Sequence, residues 1–588
     1  MGTIQKILII LLLVFSHFAI PERAILFRSG FYLFLILLSV LAVIEFLKSS
    51  KHSKIIIPEL LLFTFILYLY INNSVKIIIF AKENLYNYLI IFLLYFVFVV
   101  YYNKNKNVLK YFLYGITIIT SIELIIGFGQ LFRFLPNANA NFILGGLFGN
   151  PAAFAGYLAI TIPFLLVVCL NFKEFSISEN LQIVIIGCFC SSVFLVILCN
   201  SRGAWLASFL SVIFVLNEKY KFITHFKEQL KTLKSKLAVG ILLCISIVFI
   251  SLTLYQYKKE SAFGRLFIWK VSKNMALEKP ITGKGFGSFE AGYGNVQANY
   301  FLTNTTTVNE KNVADYVIYS YNEFLEIFIE SGVIGLLLFI SILYFAFIKR
   351  YDKKSSKYHI AAKSSLIALL ILSMVTNPFK SISNILLLII CLFIIFRTGN
   401  YKAIPISKHY KAVVFLWLFS ISYLVYDNSK HIYGKYYFKK GYAKIVNNDL
   451  VNGILDYEKA YPFIESNGKF LFHYGSALNL NNNYIESVKF LQKAVTLRSD
   501  PNAFIILGKS LKKLKRYNEA EKVYQIASNI TPSKLYPKYL LAKLYLEMQE
   551  YIKAKDMAKI IIKSKEKIIT KAGKEIKAEM KLLITKTY

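Results

Sequence analysis

Apolar residues in this chain come in long blocks. Up to about residue 426 the sequence returns repeatedly to runs of about 17–25 mostly apolar residues, each enough to cross ~30 Å of hydrocarbon as a helix. A soluble helix needs one apolar stripe, whereas these runs are apolar all round, which lipid or a fully buried position demands. They fall at about 4–20, 24–46, 55–71, 85–102, 108–128, 153–171, 182–199, 203–217, 237–256, 323–348, 361–377, 382–396 and 411–426. The pattern predicts an all-α, polytopic membrane helix bundle of about 12–13 spans. The first run follows Lys6 as a signal peptide would, but no small-residue cleavage site comes after it, so it reads as the first span. Beyond residue 428 the composition becomes that of a soluble protein. Two domains are expected: 1–428 in the membrane and 429–588 outside it.

The formal net charge of +36 invites a nucleic-acid reading, but its distribution argues against one. About twenty Lys and Arg lie in alternate short loops, such as KSSKHSK and KRYDKKSSKYH. The opposite short loops carry only scattered ones: Arg23, Lys76, Lys82, Arg133, Arg202 and Lys380. Lysine-rich loops stay in the cytoplasm, so a cytoplasmic N-terminus is expected. The long polar interval 257–322, Arg202 and residues 429–588 are then expected on the extracytoplasmic side. One miscounted span would move the C-terminal domain across.

That domain repeats. Gly441, Gly475, Gly508 and Ala542 recur about every 33–34 residues, as do Ala460, Ala494 and Ala527, and Tyr484, Tyr517 and Tyr551. Small residues where helices cross, an aromatic packed on its neighbour and a break at Asp500-Pro501 describe stacked helix pairs similar to tetratricopeptide repeats. Such an α-solenoid holds a partner, here a protein or an extended glycan, and brings no catalytic apparatus.

Few residues offer chemistry. All six cysteines lie in apolar runs without a CxxC pair, and no histidine falls between His225 and His359. Neither a metal nor a cofactor is expected. Arg202, in CNSRGAWL, sits at a span end between Ser201 and Gly203, on the charge-poor side. Arg265 and Trp269 are four apart in GRLFIWKVSK and share one face of an amphipathic helix at headgroup depth. An arginine fork there suits a phosphate. KPITGKGFGSF, with alternating Gly283, Gly285 and Gly287, fits no nucleotide-binding motif and predicts a tight turn carrying Lys284 toward the membrane. Ser320 and Glu323 have capping-box spacing at the start of a span whose free N–H groups favour an anion. Together these residues propose a cationic pocket for a phosphorylated lipid.

Taken in order, LFGNPAAFAGYLA, SRGAWL, GRLFIW with KPITGKGFGSF, and YNEFLEIFIESGVIGLL resemble the O-antigen ligase/polymerase family of integral membrane glycosyltransferases. The resemblance covers roughly Gly145 to Leu338. It implies transfer of a glycan from undecaprenyl diphosphate to an acceptor hydroxyl, with inversion and without a metal, the acceptor being lipid A-core, a protein or a growing glycan. Arg202 and Arg265 would grip the diphosphate, Tyr321 and Glu323 would join them at the catalytic turn, and Asn150, Trp269, Lys284 and Asn322 would bind substrate. Many members place a histidine where this chain has Tyr321, and a free phenol, with a pKa of about 10, is a poor base near neutrality. Glu323, Glu326 and Glu290 remain as alternatives, as does a reaction needing no base. A flippase or transporter that binds the lipid-linked glycan without making a bond is the rival reading.

Overall fold

The computed structural model describes residues 3–18, 25–48, 54–74, 82–175, 177–229, 258–348, 356–405, 410–564 and 570–585, with positions 232, 256 and 566. The expected span at 237–256 lies almost wholly outside them. Among the described residues, seven helices are long and apolar enough to cross a bilayer, and Gln5–Phe18 and Ile382–Thr398 are shorter apolar helices. The chain is a multi-pass, all-α membrane protein. The other expected spans correspond to the helices Arg202–Tyr220, Ser356–Ser373 and Tyr410–Val446, which carry more polar residues.

Two helices form the axis of the bundle. Pro151–Cys169 and Ile382–Thr398 are apolar on every side, and nearly every side chain along both is buried. That is what all-round hydrophobicity selects: a place among other helices. Pro151 occupies the first turn, where its missing N–H costs nothing, and the Asn150 side chain caps the N–H groups of Ala152 and Ala153 at 2.9 and 3.3 Å.

Contacts between helix ends sort the bundle into two ends. At one, Arg397 pairs with Glu59, which also accepts from Tyr95 Oη at 2.8 Å. A two-stranded antiparallel patch joins Lys54–Ile56 to Ala403–Pro405 there. Lys357 reaches the Glu174 carbonyl at 3.0 Å, and Tyr401 the Phe345 carbonyl at 2.6 Å. At the other end Asn72 and Asn73 bind Thr282 O (2.8 Å) and Phe286 N (2.7 Å), and Lys258 binds Asn200 O (2.7 Å). The first end holds the helix ends near Lys54, Lys357 and Arg397, and the second carries the polar loop.

The loop folds into three helices, Lys259–Glu278, Ser288–Thr303 and Val308–Val313, around Phe267, Val271, Met275, Phe289 and Tyr293. Its glycine turn is sewn to a break in Glu323–Ile348. Gly332 there has φ 67° and ψ −170°, a conformation open essentially to glycine alone. The N–H groups freed around the break find partners in the turn. Val333 N donates to Pro280 O (2.8 Å), and Lys284 N and Gly285 N donate to Ile329 O (2.8 Å) and Glu330 O (2.9 Å). A Cβ on Gly332 would stand 2.1 Å from Ile281 O, and one on Gly283 2.4 Å from Glu330 C. The turn is as tight as expected, but Lys284 ends on Glu278.

The last membrane helix and the first repeat helix are one. Tyr410–Val446 runs unbroken through the expected boundary at 428/429, so no linker separates bundle from array. Helix pairs follow: Gly468–Leu480 with Tyr484–Leu497, Pro501–Lys513 with Tyr517–Ile530, and Tyr536–Glu547 with Tyr551–Lys563. Gly441, Gly475 and Gly508 sit where helices cross, each with a partner atom within 2.7 Å of where a Cβ would be. A period legible only in the backbone accompanies them. Asn448, Asn482, Lys515 and Gln549 all turn the chain with φ between 59° and 64°. Tyr484 caps its own turn, with its Oη 2.6 Å from Asn482 Oδ1, whereas Tyr457, Tyr474, Tyr524 and Tyr545 are buried.

Candidate functional site

At the loop end the segment 319–326 separates two environments. One is cationic. Lys259–Glu278 presents Arg265 and Trp269 one turn apart to this segment, as the four-residue spacing requires. The Arg265 guanidinium lies 5.5 Å from the centre of the Tyr321 ring, and Trp269 Nε1 donates to Ser320 O at 2.9 Å. Tyr321 itself has φ 55° and is held by a 2.8 Å hydrogen bond from its N–H to Asn377 Oδ1. Among the described residues no carboxylate pairs with Arg265. Burial, and then the nearby charge of Arg202, lower its proton affinity from the ordinary guanidinium value, while Tyr321 works the other way. The two arginines are therefore electrostatic neighbours. Arg202 opens Arg202–Tyr220, whose Ser201 supplies no side-chain cap, leaving first-turn N–H groups suited to an anion. Its Nη2 lies 3.4 Å from Lys258 O, tying the loop's first residues to this helix end.

The other environment is acidic and closed. Glu323 accepts from Phe379 N at 2.7 Å, and Glu330 from Gly287 N at 2.8 Å. Glu326 takes Asn377 Nδ2 (3.0 Å), Ser320 N (3.2 Å) and the Ser320 hydroxyl (2.9 Å), and pairs with Lys380. All three glutamates are buried. Lys380, Tyr88, Tyr319, Glu290, Glu326 and Glu330 line a polar cavity of about 130 Å³.

The capping box expected from Ser320 and Glu323 is absent. The left-handed turn at Tyr321 carries Ser320 to Glu326, and Asn322 Oδ1 caps the helix instead, accepting from Leu325 N at 3.0 Å. The structure thus gathers Arg202, Arg265, Trp269, Tyr321 and Asn322 on one side, and Glu323 on the other. Asn150 is an exposed helix cap and Lys284 an ion-pair partner of Glu278, each with a local structural task. The sequence reading missed Asn377 and Lys380 as site residues. Their signal is the polar break TNPFK between two apolar runs.

Fold and site define a multi-pass membrane helix bundle with a helical-repeat domain and two neighbouring arginines, Arg202 and Arg265, where a folded loop meets the bundle. Residues 186–340, which contain Arg202, Arg265 and the 320–326 turn, match the O-antigen ligase family. A Rickettsia felis protein described as "Putative polysaccharide ligase" is 31% identical over 126 residues, covering 21% of this chain and 28% of that protein. A Rickettsia typhi protein of the same description is 30% identical, covering 21% and 29%. The chain thus spans less than a third of the length of these curated relatives. Among solved structures, MamA is similar at 22% identity and a TM-score of 0.21, over 24% of this chain and 90% of that one. A Pseudomonas aeruginosa pilF structure is similar at 14% identity and a TM-score of 0.22, over 30% and 81%.

Proposed function

We propose that this protein transfers an oligosaccharide or polysaccharide from a polyprenyl diphosphate to an acceptor hydroxyl, on the extracytoplasmic face of the inner membrane. The observation that carries the reading is the cation pair. Arg265 is half-buried without a carboxylate to neutralise it, Arg202 is its electrostatic neighbour at a helix N-terminus, and both lie within the stretch that matches the O-antigen ligase family. Two held guanidinium groups at headgroup depth suit a diphosphate. The acceptor oxygen attacks the anomeric carbon from the face opposite the diphosphate, the carbon–oxygen bond to the diphosphate breaks, and the configuration inverts. Negative charge grows on the departing diphosphate, where fixed cations lower the barrier and take the place of a metal. Tyr321 holds Arg265 in place by its ring and offers its hydroxyl to phosphate or sugar. The acceptor's proton passes to a carboxylate or to the departing diphosphate; of the three candidate bases, Glu323 and Glu326 are buried and occupied by hydrogen bonds, and Glu290 is partly exposed at the cavity and paired with Arg498.

Proteoliposomes supplied with lipid-linked glycan and acceptor test the reading. Arg202→Ala and Arg265→Ala are each expected to insert normally and to lower transfer by about 10²–10³-fold. Unchanged transfer in both removes the proposal. Movement of the lipid-linked glycan across the bilayer with no new glycosidic bond puts a transporter in its place.

A further inference from the structure

The repeat array does not hang free of the membrane domain. The pairs Gly468–Leu480 with Tyr484–Leu497 and Pro501–Lys513 with Tyr517–Ile530 close on Ser288–Thr303, the loop helix that follows the glycine turn. Arg498 forms an ion pair with Glu290 at 3.2 Å, donates to Tyr316 Oη at 2.5 Å and lies 5.5 Å from the centre of that ring. Ser499 Oγ accepts from Gly294 N at 2.9 Å, an approach that only glycine allows, since a Cβ there would meet Ser499 atoms at 2.6–2.8 Å. The buried Gln297 amide donates to Ile530 O of the array (2.6 Å) and to Asp315 O of the loop (3.1 Å), and Lys534 pairs with Asp315 at 2.9 Å. Ala298 completes the contact in an apolar cluster with Phe504, Ile505, Ala527 and Ile530.

We propose that the repeat array is an intramolecular clamp that holds the loop, and with it Arg265, in its working shape, with Arg498 as its positioning residue. This rests on reading the loop as the cover of a transferase site. The face of the array that the loop occupies has its partner within the same chain. The unbroken helix Tyr410–Val446 fixes the array to the bundle, so the clamp has a rigid arm on one side and the loop helix on the other. Loop and array also lie at the same end of the bundle, which removes the uncertainty that a miscounted span left. Glu290, held by Arg498, is a lining residue of the polar cavity, so the array reaches the site through this side chain.

Hydrogen exchange on the full chain in nanodiscs tests the clamp without any substrate. Arg498→Glu is expected to lower protection of 288–303 at least about tenfold, the loss of a charge-assisted hydrogen bond. Protection of 551–563 should stay unchanged. Arg498→Lys should restore part of it, and Arg498→Glu combined with Glu290→Arg most of it. Gly294→Leu, placed on the loop side, should release the same segment. In the transfer assay Arg498→Glu should lower kcat while the KM for the lipid-linked donor stays within about twofold, because the arginine pair is untouched. Unchanged protection in both Arg498→Glu and Gly294→Leu overturns the clamp, and so does full kcat in a variant whose loop is released. Should the wild type form no glycosidic bond while protection is lost and restored as described, the transferase reading falls and the clamp stands.

Discussion

The loop is attached twice, and the two attachments are made of different things. On the bundle side the centre of the joint is backbone to backbone, where Pro280, Lys284 and Gly285 meet residues 329–333 of a broken helix, and the Asn73 and Glu330 side chains accept from the amides of Phe286 and Gly287 beside it. On the array side most are side-chain bonds, with Arg498, Lys534 and Gln297 reaching across. Backbone joints in a nearly dry setting have no substitute partner, since no water waits to replace them. Ion pairs at a wet surface are weaker and respond to salt and pH. The first attachment, the permanent one in this comparison, sets where the loop meets the bundle. The second, the adjustable one, sets how firmly the loop is held.

The sharpest way to break the permanent side is to remove the charge beneath it. Lys380 balances Glu326, which is 3% exposed, with Glu323 and Glu330 close by. Lys380→Met leaves these carboxylates buried without their cation, and a loss of about 3–5 kcal/mol is expected in SDS-titration unfolding. Combining it with Glu326→Gln should recover much of that loss. A somewhat smaller effect is expected at the backbone joint. Gly332→Ala meets both a glycine-only conformation and the Ile281 carbonyl, for about 2–4 kcal/mol by the same measurement. If Gly332→Ala is tolerated and Arg498→Glu is not, the ranking of the two attachments is reversed.

These expectations concern residues that the sequence rendered unequally. The spans were legible because lipid demands unbroken apolar length, and the repeats because each helix pair must bury the same small residues at the same step. Arg265 and Trp269 were legible as a pair since a helix turns once in about four residues. Ser320 and Glu323 matched a cap by the same local logic, and the match failed because Tyr321 is left-handed, which no spacing reveals. Gly332 gave no sign, glycine being common in membrane helices. Arg498 and Glu290 are 208 positions apart, and Lys380 and Glu326 are 54 apart. Charge pairs at such distances leave no periodic trace, so nothing in one sequence marks them out from other surface lysines and arginines.

The smallest expected effect probes the adjustable side. Lys538, in the array, is half-buried, and its ammonium donates to Pro532 O at 2.5 Å. Burial, and then repulsion from Lys311 of the loop, push its pKa down to about 8. With the loop released and the side chain wetted, the value returns toward about 10.5. Between these values the released form binds more protons than the docked one, so docking strengthens as pH rises from 8 toward 10.5 and is flat below 8. Exposure and salt limit the effect to less than about 1 kcal/mol. Protection of 308–313, corrected for base-catalysed exchange, should therefore rise modestly between pH 7.5 and 9.5, and Lys538→Met should hold it at the high value throughout. The joint at 329–333 does not include Lys538 and has its own buried carboxylate, Glu330, bonded to Gly287 N, so its pH response should be the same in the wild type and in Lys538→Met. A response to Lys538→Met in both segments would mean that loop and bundle loosen together, and that the two attachments are one.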